Sequence, residues 1–472
     1  MARDALCIIS GIRPGGGPNH LFSRSEEERV LGGLAEEIAQ TSQMEADSVY
    51  DILNDAISSL GDSHCSHDDD ADQLYEWPHR YENWQFFSNC VAVGHFDGDG
   101  GPANVLRHHS SKIPSGRHIE VRRVCEDDGG YFSRVIVDAS DPGGEPSFDG
   151  FTRVKWRPTD CDPVGGNPNV FALEGPFRYL EAWVDRDSLP DRRLAFPNDP
   201  EPMSFESEFY EIVNTRAAPR RERDGTLPCI KYGGIEKTWE RTQDFFLPAL
   251  QGSKHVRRAI LEGLRGADLL PALMRDFGCW MCVRPDVWPC VPEPFELAEY
   301  KPFAIGPETV PGLTPFHTLP TELCLRIFHF VPISSLLSLA SSCRSLRALL
   351  GQPGYLDRVV REAIIEPDGQ LRWILPVASM GERQSVESAA WAWLPEDTER
   401  NDDDLRRPVD PFLSPNFPHL AFLRACYESE SMMNRRRYWD IAKQFEALWA
   451  DYRIRGRERE VTYPLEHHCR PT

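Results

Sequence analysis

The sequence predicts an α+β protein with a mixed helical and β-hairpin N-terminal region, a compact three-helix unit after it, and a helical C-terminal region. Three features lead to this prediction. Apolar residues recur at helical spacing near both ends of the chain. Aromatic and β-branched runs separated by glycine turns occupy 81–160, and a strongly apolar segment at 319–350 follows a proline-rich lead-in.

Length and charge limit what the chain can be. With 472 residues and a mass of 53.7 kDa, it is too large for one simple core, so we expect roughly two to four domains. The formal net charge of -22 repels phosphate and disfavours binding to nucleic acid or anionic membrane. The sequence contains no run of about 18 apolar residues, the length that a membrane span requires. We therefore predict no membrane partner and disfavour nucleic acid.

The chain has 13 cysteines, an odd number without a compact set of paired spacings. In a long chain this pattern indicates reduced thiols in an intracellular compartment. The first residues hold only a short apolar patch interrupted by glycine and proline, which is not typical of a signal peptide. These observations predict a location in the cytoplasm, the nucleus or both.

The N-terminal segment, 1–60, is predicted to be helical over 24–60. Acidic residues lie in its first turn, and apolar side chains follow at helical spacing, namely Val30, Leu31, Leu34 and Ile38. The run SVYDILNDAISSL continues the pattern. A polar, charged loop, GDSHCSHDDDAD, then ends it.

The next region, 61–284, is predicted to mix strands and helices. Residues 119–125 and 131–137 form the arms of a predicted hairpin, joined through Asp128-Gly129-Gly130. Helices are predicted in SFESEFYEIVNTR and in SKHVRRAILEGLRGADLLPALMRDFG. No repeat of fixed period is visible.

Proline marks the clearest boundary, because it fixes φ and turns the preceding residue away from helix. Nine prolines fall between 285 and 320. We assign 285–312 as a linker and 313–365 as the three-helix unit. The remaining 366–472 is predicted to be a helical region, with a charged, proline-bounded break at 395–411 and a last helical stretch from about 417 to 457.

The apolar segment begins with a predicted helix in which Pro320 takes the first helical position and Glu322 the first turn. One stripe of this helix consists of Leu319, Leu323, Ile327, Phe330 and Val331, widened by Cys324 and Phe328. Val331-Pro332 is predicted to end the helix. Ser334 or Ser335 then caps a second helix, and YLDRVVREAII supplies a third.

Nearly all faces of these helices carry large apolar groups, so something must cover them. Burial in the chain's own core is one explanation, and a helical docking surface for another protein is the other. Periodicity alone does not choose between them.

The order of residues in this segment resembles an F-box. The family pattern begins Leu-Pro-x-Glu-Leu, continues with an Ile-Phe pair and a proline-containing turn, and closes a leucine-rich second helix with Cys-Arg-x-Leu-Arg. The matching residues are Leu319, Pro320, Glu322, Leu323, Ile327, Phe328, Pro332, Leu336, Leu337, Leu339, Ala340, Cys343, Arg344, Leu346 and Arg347. Tyr355-Leu356 stands where many F-boxes have a tryptophan. The mid-chain position and the segment 414–448 are similar to those of large fungal F-box proteins.

This resemblance implies a noncatalytic substrate receptor. F-box proteins dock on a Skp-type adaptor, which joins a cullin scaffold and a RING protein in an SCF ubiquitin ligase, and they select a protein for ubiquitination. The resemblance implies no cofactor and makes 61–284 the candidate substrate-recognition part. The sequence does not identify the protein substrate. The residues that it assigns to adaptor docking are Leu319, Pro320, Leu323, Ile327, Phe328, Leu336 and Leu339. Two alternatives stay open: an F-box scaffold outside a ligase, and a zinc-binding protein or enzyme whose apolar segment is core.

The zinc alternative depends on CWMC, which places Cys279 and Cys282 at zinc-knuckle spacing with Cys290 nearby. A structural zinc site usually needs a second matching pair. Cys229, His255 and the run HCSH at 64–67 are only loose candidates for one. We therefore predict reduced, partly buried thiols and no metal site.

The other candidate motifs have simpler interpretations. FDGDGG at 96–101 fails the EF-hand pattern and is predicted to be a tight turn. His108-His109 and His467-His468 are predicted to be exposed. The basic-aromatic run NRRRYWDIAKQ is predicted to be a solvated helix face, with Trp439, Phe445, Leu448 and Trp449 buried on the opposite side, although a nucleic-acid patch is the alternative.

Overall fold

The structure is a computed structural model. The residues that it describes are 7–12, 24–58, 86–87, 89–94, 119–126, 132–134, 153–154, 170–187, 204–213, 227, 229–235, 239–242, 245–248, 251–291, 319–342, 347, 350, 355–366, 369–377, 382–394, 411–414 and 416–455. The predicted turns at 96–101 and 128–130, the run at 64–67 and the histidines at 108–109 and 467–468 lie outside them.

Helices dominate the described residues. They are α1 (Arg24–Ser42), α2 (Ala46–Ser58), α3 (Glu174–Asp187), α4 (Phe205–Ile212), α5 (Lys254–Leu261), α6 (Leu270–Asp276), α7 (Thr321–His329), α8 (Ile333–Ser342), α9 (Tyr355–Ile365), α10 (Arg383–Trp391), α11 (His419–Glu428) and α12 (Glu430–Arg455). Short 3-10 helices lie at Gly266–Leu269, Cys279–Cys282, Arg372–Ile374 and Pro411–Leu413.

The strands form two antiparallel sheets. They are β1 (Cys90–Gly94), β2 (Glu120–Glu126), β3 (Phe132–Arg134), β4 (Arg153–Val154), β5 (Val170–Leu173), β6 (Trp239–Thr242) and β7 (Phe245–Pro248). The first five pair in the order β4-β3-β2-β1-β5, and β6 pairs with β7. Opposing residues include Val124 and Arg134 in the pair β2–β3, which confirms the predicted hairpin. Together with the helices, these sheets make the described chain mixed α+β.

The chain divides into two compact units. Unit 1 comprises Met1–Arg284 and Arg437–Thr472, and unit 2 comprises Pro285–Arg436. Within α12, residues 430–436 therefore belong to unit 2 and the rest to unit 1. The finer division into five segments, with boundaries after residues 60, 284, 312 and 365, stays a prediction.

One core of unit 1 joins the N-terminal helices to α5 and α6. The helices predicted over 24–60 are present, and Leu31, Leu34 and Ile38 are buried with residues of α2, α5 and α6. Their spacing of three and four residues places them on one face of α1. Asp276, in the last turn of α6, caps α5 by accepting from the backbone N–H groups of His255 (2.9 Å) and Val256 (2.8 Å). This cap fixes α6 against the start of α5.

The unit 1 part of α12 corrects the prediction of a solvated basic face. Trp439, Phe445 and Trp449 are buried as predicted, but Arg437 is buried as well. Its guanidinium donates to the carbonyls of Ser10 (2.8 Å) and Tyr232 (3.0 Å). Arg437 therefore links the segments around Ser10 and Tyr232 through buried hydrogen bonds. A buried cation needs such acceptors because it has lost its hydrogen bonds to water.

Candidate functional site

The apolar segment at 319–350 folds into α7 and α8, and Pro320 sets the start of α7. Its backbone is extended (ψ 144°), so it lies outside the helix as the N-cap residue. Its carbonyl accepts from the backbone N–H groups of Leu323 (3.0 Å) and Cys324 (3.1 Å). The predicted first helical position for Pro320 is therefore wrong by one residue. The helix begins at Thr321.

The corner between α7 and α8 also departs from the prediction. α7 ends at His329 with Phe330 as C-cap, as the Val331-Pro332 pair predicted. The carbonyl of Pro332 accepts from the backbone N–H of Leu336 (2.9 Å), so α8 begins at Ile333. Ser334 and Ser335 consequently lie inside the first turn and are not caps. Proline can precede a helix in this way because its carbonyl still accepts a helical bond.

Beneath these helices lies a compact core that the third helix, α9, completes. Its buried members are Cys324, Phe328, Leu336, Ala340, Leu350, Tyr355, Leu356 and Val359. The rings of Phe328 and Tyr355 meet edge to face with centroids 6.3 Å apart. Tyr355 thus contributes an aromatic ring to the core, and burial raises the pKa of its hydroxyl to about 12. This hydroxyl has no hydrogen-bond partner in the described part of the chain.

Above the core, apolar side chains face outward along α7. We call Leu319, Leu323, Ile327, Phe330 and, from α8, Leu339 the apolar ridge; all five side chains are exposed. Leu323 keeps 47% of its surface accessible and Phe330 keeps 80%. At about 100° per residue, Leu323, Ile327 and Phe330 lie within an arc of about 60° on the helix. One side of α7 is therefore core and the adjacent side is exposed, so burial within the chain covers only part of this segment.

The predicted docking residues fall into two groups. The exposed group is Leu319 and Pro320 just before α7, Leu323 and Ile327 on α7, and Leu339 on α8. Phe328 and Leu336 are buried at 2% and 0%. The latter two belong to the core that holds the helices together, so they support the exposed residues from beneath. Phe330 was placed on the apolar stripe but not among the docking residues. Its position three residues after Ile327 is the signal that marks it.

Arg347 closes the C-terminal end of α8. Its guanidinium donates to the carbonyl oxygens of Ala340 (2.9 Å) and Ser341 (2.8 Å), which are among the last of the helix. This arginine of the Cys-Arg-x-Leu-Arg pattern therefore caps a helix, because unsatisfied carbonyls and the negative helix end attract a cation. Cys343, Arg344 and Leu346 lie outside the described residues.

Residues later in the sequence of unit 2 cover one side of this core. Leu420, near the start of α11, packs against the core. The carboxylate of Asp357 on α9 accepts from the backbone N–H of Leu420 at 2.9 Å. Burial raises the pKa of this carboxyl. α9 is thus held between the core below the ridge and α11.

The structure supplies no metal centre for the zinc alternative within the residues that it describes. No group of three or more histidine, cysteine, aspartate or glutamate side chains lies close enough to hold an ion there. Cys279 and Cys282 are buried on a 3-10 helix. The ring nitrogen Nδ1 of His255 lies 2.7 Å from Asp276 Oδ1, in the cap of α5. His255 therefore serves the local structure.

No single helix in the described ranges is long and apolar enough to cross a membrane. Residues 322–328 and 333–341 meet the length and composition test only when α7 and α8 are counted together, and the pair is bent by 114°.

Comparison with family models matches residues 316–360 to the F-box-like family. The matched residues include α7, α8, the apolar ridge and the first part of α9. Comparisons with curated proteins and with solved structures gave no match. The chain thus contains an F-box-like domain near its middle. Domains of this family generally mediate interactions between proteins.

Proposed function

We propose that this protein is a noncatalytic F-box substrate receptor. In this proposal the apolar ridge docks on a Skp-type adaptor, and through it on a cullin and a RING protein, in an SCF ubiquitin ligase. The rest of the chain recruits a protein for ubiquitination. The ligase partners perform the bond chemistry, so this chain needs no cofactor.

The observation that carries the proposal is the exposed apolar ridge inside the segment that matches the F-box-like family. Exposed leucine, isoleucine and phenylalanine side chains in one contiguous row cost free energy in water and favour burial against a partner. An amphipathic helix laid in an apolar groove is a recurring mode of protein recognition. The core beneath the ridge gives it a fixed shape, which lowers the entropic cost of binding.

Binding of the full chain to a purified Skp-type adaptor tests the proposal. Leu323→Asp places a charge in the centre of the ridge, and we expect it to abolish binding because the carboxylate would have to be desolvated at the interface. Leu261→Asp on α5 is the matched control, since Leu261 is 61% exposed but lies outside the F-box-like segment. It should bind as the wild type does. Circular dichroism would establish that both variants fold.

Each result has a definite meaning for the proposal. If the wild type fails to bind the adaptor, the proposal is wrong. If it binds the adaptor and cullin, and proteomic comparison finds no protein that accumulates in cells lacking the chain, the scaffold alternative replaces the receptor. Adaptor binding together with an accumulating, ubiquitinated protein supports the receptor.

A further inference from the structure

The geometry points to Phe330 as the anchor of the adaptor interface, a position outside the seven residues that the sequence assigned to docking. This inference rests on the proposed function, because the adaptor is the partner that it names. It concerns which side chain of the ridge supplies most of the binding free energy.

Exposure singles out Phe330. It keeps 80% of its surface accessible, whereas the other ridge residues keep between 36% and 47%. It is also the only aromatic residue among the large apolar side chains of the ridge. Aromatic residues are enriched at the buried centres of protein interfaces, where a few side chains carry most of the binding energy. Phe330 therefore has the largest apolar surface to lose when a partner covers the ridge.

Backbone hydrogen bonds hold the chain around Phe330. The N–H of Phe330 donates to the carbonyl of Ile327 (3.2 Å), and the N–H of Val331 donates to the carbonyl of Phe328 (3.0 Å). Val331 packs against the core, and Phe328 is inside it. The corner thus presents the ring from a fixed position, so a partner would not have to order the backbone when it binds.

The ridge continues on both sides of this corner. Ile327 lies one turn before Phe330 on α7, and Leu339 is exposed on α8. A partner that covers residues of both helices must pass over or beside the corner that connects them. Phe330 at that corner is consequently placed to enter a pocket of the adaptor, with the leucines and isoleucine around it excluding water.

The test measures the dissociation constant of the full chain for a purified Skp-type adaptor by calorimetry. We expect Phe330→Ala to weaken binding at least tenfold, while Phe330→Tyr, which keeps the ring, stays within about threefold of the wild type. Leu261→Ala is the matched control for loss of an exposed apolar side chain and should leave the affinity unchanged. Thermal unfolding should be the same for all variants, because both side chains are mostly exposed, Phe330 at 80% and Leu261 at 61%.

The outcomes separate this inference from the proposed function. If Leu323→Asp abolishes binding but Phe330→Ala binds within twofold of the wild type, the anchor is wrong and the docking surface stands. If the wild type does not bind, both are wrong. If Phe330→Ala lowers the melting temperature, the binding of Phe330→Gln is measured in its place. Glutamine retains an unbranched side chain at the corner. Retained tight binding by a folded Phe330→Gln variant would also overturn the anchor.

Discussion

The guanidinium of Arg435 and the carboxylate of Glu382 form a bidentate ion pair inside unit 2. Nη1 lies 2.9 Å from Oε1, and Nη2 lies 3.0 Å from Oε2. Arg435 also donates to the carbonyl oxygens of Trp373 (2.6 Å), Pro285 (3.1 Å) and Leu375 (2.7 Å). All five of its N–H groups are thus used. Through these bonds Arg435 joins Pro285, before the F-box-like domain, to segments that follow the domain.

Replacing this arginine should destabilise unit 2. Arg435→Lys supplies three donors from one point, so it cannot satisfy a planar carboxylate and three carbonyls together. We expect a loss of about 3 kcal/mol, because the lysine leaves buried carboxylate and carbonyl oxygens without a donor. Urea unfolding followed by circular dichroism measures this loss.

Arg436→Lys is the matched control for that measurement. Arg436 is the next residue of α12, but it is exposed, with its guanidinium 5.0 Å from the Tyr427 ring centroid. Its replacement should change the stability by less than about 1 kcal/mol, because exposed charges are weakly coupled. Equal losses in the two variants would show that the buried pair has no special role.

Acid should weaken unit 2 through His419. This side chain is buried, its Nε2–H donates to the carbonyl of Phe412 (2.9 Å), and desolvation lowers its pKa from 6.5 to about 4. Because the folded pKa is below the unfolded one, protonation favours unfolding. The stability from this residue is complete above pH 6.5 and is lost as the pH falls toward 4. The total is on the order of 3 kcal/mol.

The pH dependence of the wild type and of His419→Gln distinguishes this residue from the other acid-sensitive groups. The glutamine does not titrate, so its stability curve should be flatter between pH 6.5 and 4, whatever its stability at neutral pH. Unfolding by urea at several pH values gives both curves. Parallel curves would mean that another group causes the acid sensitivity.

Asp357 should matter as a hydrogen-bond acceptor more than as a charge. Burial raises its pKa, so the folded state favours the protonated form, and the ionised carboxylate becomes a cost as the pH rises through the folded pKa. Asp357→Asn keeps an oxygen for the N–H of Leu420 and removes that cost. We expect it to be at least as stable as the wild type at pH 7, whereas Asp357→Ala should lose about 1 kcal/mol.

Thermal unfolding at pH 5 and pH 8 measures both variants of Asp357. The advantage of the asparagine should be larger at the higher pH. If asparagine and alanine are equally damaging, the charge at the N-terminus of α11 contributes more than burial costs, and the explanation from desolvation fails.

Local patterns predicted the parts of the fold whose cause is local. The helices over 24–60 follow from apolar residues such as Leu31 and Leu34 at helical spacing, and the pairing of β2 with β3 joins two runs that are close in sequence. The pairing of β1 with β5, such as Val91 with Ala172, depends on residues about 80 apart in the chain, which no local window contains. The burial of Arg435 likewise depends on Glu382, which is distant in sequence.

For the candidate site, the sequence predicted the helices but not which of their faces are buried and which are exposed. Residues of both the core and the ridge are large and apolar, and Phe328 and Ile327 are neighbours in the chain. The difference arises because α9 and Leu420 cover the Phe328 side of α7. That coverage depends on tertiary packing, which apolar spacing in one helix does not specify.

Substitutions on the two sides of α7 should therefore affect different properties. Phe328→Ala removes a ring from the core and should lower the stability by about 3–5 kcal/mol. Leu323→Ala removes an exposed side chain and should change the stability by less than about 0.5 kcal/mol while weakening adaptor binding. Each variant is measured by urea unfolding and by adaptor titration on the folded protein. If Leu323→Ala destabilises the chain as much as Phe328→Ala does, then α7 is covered on both sides by the chain itself, and the ridge is not a surface that a partner can reach.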